Sequence, residues 1–327
     1  MNVFSFDRLA AAPLWRAALV AAMGWLPFST ATTQAANSSI VGFYNVTVPV
    51  GNSAWVSGLV GADVYQGTAA SVTADVDGKA LVTFTLPGWS GGDFPLHYAE
   101  PQSGSGTGLA LDILSNTTDT LKLNTTPAAA GLTNGMVFII RKHATLRGLL
   151  PDGGGFQPFQ DTITLIGPDG AQKNYFFNSL NSTWIDVLLN DASNVVVRPG
   201  QGFIFQVGAP LTVTLGKGEI AYVKTTATQI TATAKVPNLT GALNPLNAST
   251  TLISLGILGN LQPFNDSVVT LNPGNFNQTG TFLSDGTDYR DSFFNNADSF
   301  ALPTGVSVVV DVDTTKNLIL SPVVVGP

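Results

Sequence analysis

The chain has 327 residues, of which 14 are Lys or Arg and 21 are Asp or Glu, a net charge of −7; charged residues are only 11% of the total and Cys is absent. An acidic chain without clustered Lys and Arg is a poor partner for nucleic acid or an anionic membrane surface. Zero Cys excludes disulfide staples, thiol catalysis and zinc–thiolate sites, and a chain of this length can bury enough apolar surface without them.

In chain order, residues 1–36 read as a secretory signal peptide. Arg8 and Arg16 supply a positive flank, Ala17 to Leu26 form an apolar run too short to span a bilayer, and Thr33-Gln34-Ala35 places small residues near a cleavage point. A retained N-terminal anchor is the alternative; either places the bulk of the chain outside the cytoplasm, extracellular or in the cell envelope. Removing Arg8, Arg16 and Asp7 leaves 12 basic and 20 acidic residues, a net charge of −8. No later segment reads as a transmembrane span.

After Ala36 the dominant signal is short alternating or apolar runs separated by turn residues, the grammar of sandwiches and barrels. Phe43 to Val48 alternates. Ala70 to Val76 and Ala80 to Leu86 flank Asp77-Gly78, which predicts a hairpin with a tight turn. Further strand candidates are Leu96 to Ala99, Leu109 to Leu114, Thr120 to Leu123, Met136 to Arg141, Thr162 to Ile166, Tyr175 to Asn178, Val195 to Val197, Phe203 to Val207, Leu211 to Leu215, Ile220 to Lys224 and Ile230 to Lys235. No window keeps a helical apolar stripe free of Gly or Pro, so helix is expected to be scarce.

An internal similarity organises the second half. Gly155 to Thr164 (GFQPFQDTIT) aligns with Asn260 to Val269 (NLQPFNDSVV) at an offset of 105 residues, and the same offset matches Phe177 with Phe282, Trp184 with Tyr289, Asp186 with Asp291, Asn190 with Asn295 and Ala192 with Ala297. A slip of one residue then lays Val195 to Pro199 over Ser299 to Pro303, and Phe203 to Val207 over Ser307 to Asp311. The expected fold is therefore all-β, two or three packed antiparallel sandwich or barrel-like units, the last two a diverged tandem repeat. The expected boundaries are a signal peptide over 1–36, an N-terminal β unit over 37–142, a first repeat over 143–245 and a second over 246–327.

Val41 to Val60 (VGFYNVTVPVGNSAWVSGLV), Leu86 to Glu100 (LPGWSGGDFPLHYAE), Gly135 to Pro151 (GMVFIIRKHATLRGLLP) and NYFFNSLNSTWID followed by VVVRPGQGFIFQVGAPLTVTL resemble a secreted paralogous family of verrucomicrobial bacteria with no assigned activity. The resemblance implies export and a β-rich fold and supplies no catalytic residues. The chain departs from that pattern at Ala144, where a Trp usually stands, and across Ser103 to Gly108, where SGSGTG replaces an aromatic-rich strand.

The search for chemistry yields no catalytic set. The two histidines, His97 and His143, sit at strand ends with no strand-to-helix G-x-S-x-G elbow to pair with; Gly88 to Gly92 (GWSGG) matches the letters but lies in a turn-like stretch between strands. Asp161 with Asp186, and Asp266 with Asp291, could serve as a glycosidase carboxylate pair, but their duplication and their turn contexts favour backbone-bonding turn residues. Asp285, Asp288 and Asp291 are weak calcium candidates without EF-hand spacing, so calcium would be at most a structural ion and no cofactor is expected. Trp55, Trp89, Tyr98, Trp184 and Tyr289 are flat side chains able to cover a sugar face, with Trp89, in PGWSGG, the most turn-like; packing is the competing reading for each.

With few charges, positive mean hydropathy (+0.26) and an export signal, the leading functional expectation is a non-enzymatic secreted or cell-surface structural protein that self-associates, or binds other envelope proteins, into a layer, sheath or matrix. A carbohydrate-binding or adhesion protein, with glycans as partners, is the alternative. A polysaccharide hydrolase is a remote third.

Overall fold

The computed structural model describes residues 44–56, 60–167, 170–215, 220–221, 227–241, 250–272, 276–303 and 305–322; the expected signal peptide and part of the strand candidate at Ile220 to Lys224 lie outside them. The described chain is all-β. Every strand ladder is antiparallel, and among the described residues the helices are one four-residue turn of α-helix, Leu146–Leu149, and three short 3-10 segments. No helix of the described residues is long and apolar enough to cross a membrane.

Strands Asp63–Ala74, Ala80–Phe84, Thr120–Leu123, Leu111–Asn116, His97–Pro101 and Val137–Lys142 close, in that spatial order, into a six-stranded barrel. Alternation puts Ala80, Val82 and Phe84 inward, where they meet Leu121, Leu123, Phe138 and Ile140. The twelve-residue first strand serves two neighbours by bending at irregularities near Asp63/Tyr65 and Ala69/Ser71. Its hairpin to Ala80–Phe84 turns tightly at Asp77-Gly78. Asp75 N–H donates to Lys79 O and Gly78 N–H to Asp75 O, so Val76-Asp77-Gly78 form a three-residue loop with Gly78 at φ 75°. Asp75 Oδ1 fixes this loop by accepting N–H from both Asp77 and Lys79.

Two five-stranded sheets make the rest. In spatial order the first is Thr183–Asp186, Gln172–Asn178, Thr162–Ile166, Gly202–Val207, Gly51–Val56. The second is Tyr289–Arg290, Gln278–Ser284, Ser267–Leu271, Val308–Asp311, Asn238–Thr240. Each is accompanied by a two-stranded ladder, Leu211–Leu215 with Tyr44–Val48 and Lys316–Leu320 with Thr228–Ala232. Pairing thus crosses the boundaries read from sequence. The consecutive strands Tyr44–Val48 and Gly51–Val56 pair with strands of the first sheet system although the whole barrel intervenes, and 228–240 pairs with the second.

Register also corrects two alignments. Thr162 pairs with Gln206 and Ser267 with Asp311, so the offset of 105 holds through these strands without a slip. Ile163 faces Tyr175 and Val268 faces Phe282, so Tyr175, not Phe177, occupies the place of Phe282. The second sheet has two more residues in this hairpin and two fewer in the next, a compensation that sequence matching alone passes over.

Each sheet is buried on both faces. Residues such as Ile163, Phe203 and Phe205 of the first sheet, and Val268, Val308 and Val310 of the second, belong to one contiguous core that also holds Trp184 and Tyr289. Their alternate neighbours Ala54 and Ile204 meet Leu239, Leu271, Val269 and Val309 in a thinner layer between the sheets. At that layer Gly202 lies so close to the second sheet that a Cβ would sit 2.5 Å from Leu239 Cβ and 2.7 Å from Ser307 Oγ. Gly202→Ala should therefore cost about 1–3 kcal/mol by overpacking, read from urea unfolding. Gly259→Ala, whose Cβ would meet nothing within 4 Å, is the control that leaves stability undiminished.

The QPF segments are latched by buried carboxylates. Asp161 accepts N–H from Gln157 (2.7 Å) and Gly208 (2.9 Å); Asp266 accepts them from Gln262 (2.6 Å) and Asp313 (2.9 Å). Asp266 also pairs with Lys316. Burial pushes the Asp266 carboxyl up, but the Gln262 N–H, the Lys316 ammonium and the Asp313 N–H outweigh this and hold it below the ordinary aspartate value. A depressed folded-state value means that its ionised form contributes stability above about pH 4, and that this contribution fades as pH falls through the folded-state value. Asp266→Asn should therefore narrow the difference in unfolding free energy between pH 6 and pH 3. An unchanged difference would refute this role.

Candidate functional site

The aromatic residues singled out as sugar platforms are packing residues. Tyr98, Trp184 and Tyr289 are fully buried. Trp184 Nε1 donates to Leu150 O at 3.1 Å. The Trp184 N–H donates to Ser193 Oγ and the Tyr289 N–H to Asp298 Oδ1, so the two rings occupy equivalent anchored positions. Trp55 is buried in the same core. Trp89 is half-buried, its ring edge-on to Tyr65, Phe84 and Phe94 at 4.7, 5.3 and 5.1 Å, where it packs against the barrel core.

The calcium candidates are engaged otherwise. Asp285 and Asp288 both bind Arg290, at 2.6 and 2.8 Å, and Asp285 Oδ1 accepts the N–H groups of Thr287 and Asp288, whose bonds hold its carboxyl far below the usual range. Asp291 serves a separate loop. Among the described residues no group of three or more His, Cys, Asp or Glu is placed to hold a metal ion. In the two carboxylate pairs, the buried Asp161 and Asp266 have both oxygens engaged by backbone N–H, and Asp186 and Asp291 cap loops. His97 Nδ1 lies 2.7 Å from Pro95 O.

Those caps build a surface feature that appears at equivalent positions in both copies. Asp186 Oδ1 accepts N–H from Leu188 (2.8 Å) and Asn190 (2.9 Å), and Asn190 Nδ2 donates to Asp186 Oδ2 (3.1 Å). Asp291 does the same with Phe293 (2.8 Å), Asn295 (2.9 Å) and Asn295 Nδ2 (3.1 Å). The side-chain bond from Asn190 and the one from Asn295 lead the contacts that lower these two carboxyls. Inside the caps, Leu188 and Leu189 are 77% and 71% exposed and Phe293 and Phe294 are 82% and 63% exposed. The QPF loops likewise leave Phe159 and Phe264 about half exposed. Leu189, Phe294, Phe159 and Phe264 all adopt positive φ, between 59° and 65°. Bulky residues in that region are strained by about 1–2 kcal/mol each, and such strain persists where surrounding bonds fix it.

A second feature lies where the three strand systems meet. A cavity of about 440 Å³ is walled by Leu109 to Asp112 and Asn124 of the barrel, by Ile166, Arg198 and Gln201 beside the first sheet, and by Ile230, Leu239 and Asn317 beside the second. On its wall Arg198 Nη2 contacts Asp112 Oδ2 at 2.5 Å, and the buried His143 brings Nε2 to 3.0 Å from Asp112 Oδ1. Burial raises the Asp112 carboxyl, and His143 and Arg198 more than reverse this, leaving it below the ordinary aspartate value. His143 in turn rests on Tyr98, ring centroids 4.8 Å apart.

The loops were partly visible in sequence, since Asp186/Asp291 and Asn190/Asn295 align; what escaped was that the apolar pair between each Asp and Asn points outward. The cavity had no sequence signal, because its walls come from segments far apart along the chain. No family model, no curated protein and no solved structure matches this chain.

Proposed function

We propose that this chain is a non-enzymatic structural protein of the cell exterior, exported by its N-terminal segment, that assembles with further copies of itself through the capped apolar loops. The observation that carries the reading is the outward display of Leu188-Leu189 and Phe293-Phe294, and of Phe159 and Phe264, with Leu189, Phe294, Phe159 and Phe264 held at positive φ. Holding large apolar side chains in water at such cost is unfavourable for an isolated chain and is recovered when they are covered.

A second copy is the occupant that the arrangement favours. Two equivalent patches on one chain give two attachment points, and repeated heterologous contacts between such points propagate into rings or filaments. Strand addition is the competing route, and the outer sheet edges are shielded against it. The chain folds back on Thr183–Asp186 through the Ile185–Asp191 bridge and on Tyr289–Arg290 through the Arg290–Asn296 bridge. The edges are thus protected by chain geometry where charges are few.

Sedimentation velocity and electron microscopy of the purified chain test this. The parent protein should form larger species as concentration rises. The double variant Leu189→Asn, Phe294→Asn should stay monomeric while matching or exceeding the parent's thermal stability, because Asn tolerates positive φ better than Leu or Phe. A parent that sediments as a monomer at every concentration, or a variant that assembles as well as the parent, overturns the proposal.

A further inference from the structure

We infer that the cavity at the junction of the barrel and the two sheets is a binding site for a neutral polyhydroxylated ligand, a sugar unit or disaccharide. This does not rest on the assembly reading and involves none of the apolar loops. The volume, about 440 Å³, falls within the range of small-molecule sites, which concentrate where structural units meet.

Charge narrows the ligand. Among the described residues, Asp112 and Arg198 are the ionisable groups on the wall, and they neutralise each other at 2.5 Å. An anionic or cationic ligand would have no unpaired counter-charge there, and bringing one in would break the pair or bury a charge alone. Among the described residues no aromatic side chain lines the cavity, which disfavours a flat aromatic ligand that would need a stacking face.

Hydrogen-bonding capacity narrows it further. A guanidinium has five N–H donors, and Arg198 uses its side chain on Asp112 alone among the described residues. Asn317 accepts from Thr231 through its oxygen and Asn124 from Lys79 through its oxygen, which leaves both amide N–H₂ groups as donors. Asp112 retains lone pairs beyond those facing Arg198 and His143. Planar groups offering donors and acceptors side by side match vicinal hydroxyls, each of which both donates and accepts. Leu109, Ile166, Ile230 and Leu239 supply apolar surface for the C–H faces of such a ring. Among the described residues the wall has one carboxylate, already paired, and not the two acids that hydrolysis of a glycosidic bond requires, so the site binds without cleaving.

Glucose, galactose, mannose, N-acetylglucosamine and their 1,4-linked disaccharides, with glucuronate as the charged comparator, are titrated into the full chain by ligand-observed NMR and calorimetry. At least one neutral sugar should bind with a Kd of about 1 mM or tighter. Asn317→Ala should weaken it about tenfold, or about 1.4 kcal/mol. Ala110→Phe, which fills the cavity, should abolish binding, and Leu189→Asn with Phe294→Asn should leave it unchanged. Absence of binding to every neutral sugar, a preference for glucuronate, or binding that neither cavity variant alters would overturn the inference. Asn317 is solvent-exposed, so its substitution keeps the test decisive even where Ala110→Phe disturbs folding.

Discussion

Burying an aspartate where no cation is obligatory is unfavourable unless both carboxylate oxygens are met by donors. Asp161 and Asp266 satisfy that condition with backbone N–H groups from two directions, the start of their own loop and the segment leaving the Gly202–Val207 or Val308–Asp311 strand. Each carboxylate therefore ties a loop to the strand beside it. With these points fixed, the Pro-Phe turns have little freedom, and the Phe side chains are held at positive φ on the surface instead of collapsing into the core. The exposed Leu and Phe pairs depend on the same device, a carboxylate taking N–H groups two and four residues ahead, with an Asn closing the ring.

The barrel is inserted into a sheet that is completed around it. Strand Gly51–Val56 pairs with Gly202–Val207, roughly 150 residues later, with the whole barrel in the intervening chain, a pairing of high loop-closure cost. The barrel has its own apolar core, since barrel and sheets share no core cluster. What joins them is polar. Arg198 reaches Asp112, and Gln229 Nε2 donates to Ser105 O and Thr107 O. Polar docking surfaces leave space where two sheets and a barrel meet, and the junction cavity is that space.

Low charge and strong local pairing are two sides of one economy. Lys122 binds Asp75 and Asp77, Arg290 binds Asp285 and Asp288, and Lys316 binds Asp266, so several of the few cations serve turns and loops. A surface left to neutral polar and apolar groups repels other copies weakly. The same composition removes the electrostatic protection of sheet edges, and folded-back chain at Ile185–Asp191 and Arg290–Asn296 replaces it.

The sequence by itself determined that the chain is all-β and where most strands lie, and it showed a likeness between the segments beginning at Gly155 and Asn260, because strand alternation and turn chemistry are local properties. It also gave the packing of Trp184 and Tyr289 as one of two readings, through their equivalent places. Tertiary structure alone decided which strands are partners. Phe43 to Val48 reads like any other alternating run, Gly51–Val56 does not read as a strand, and only the ladders to Leu211–Leu215 and Gly202–Val207 assign the two segments to the first sheet system. It decided, too, that Trp89 covers a core while Leu188 and Phe293 face water, since inward and outward placement depends on what lies opposite, and that is set by contacts distant in sequence. The junction cavity is the extreme case: three separate segments surround it, and no local pattern encodes a space between them.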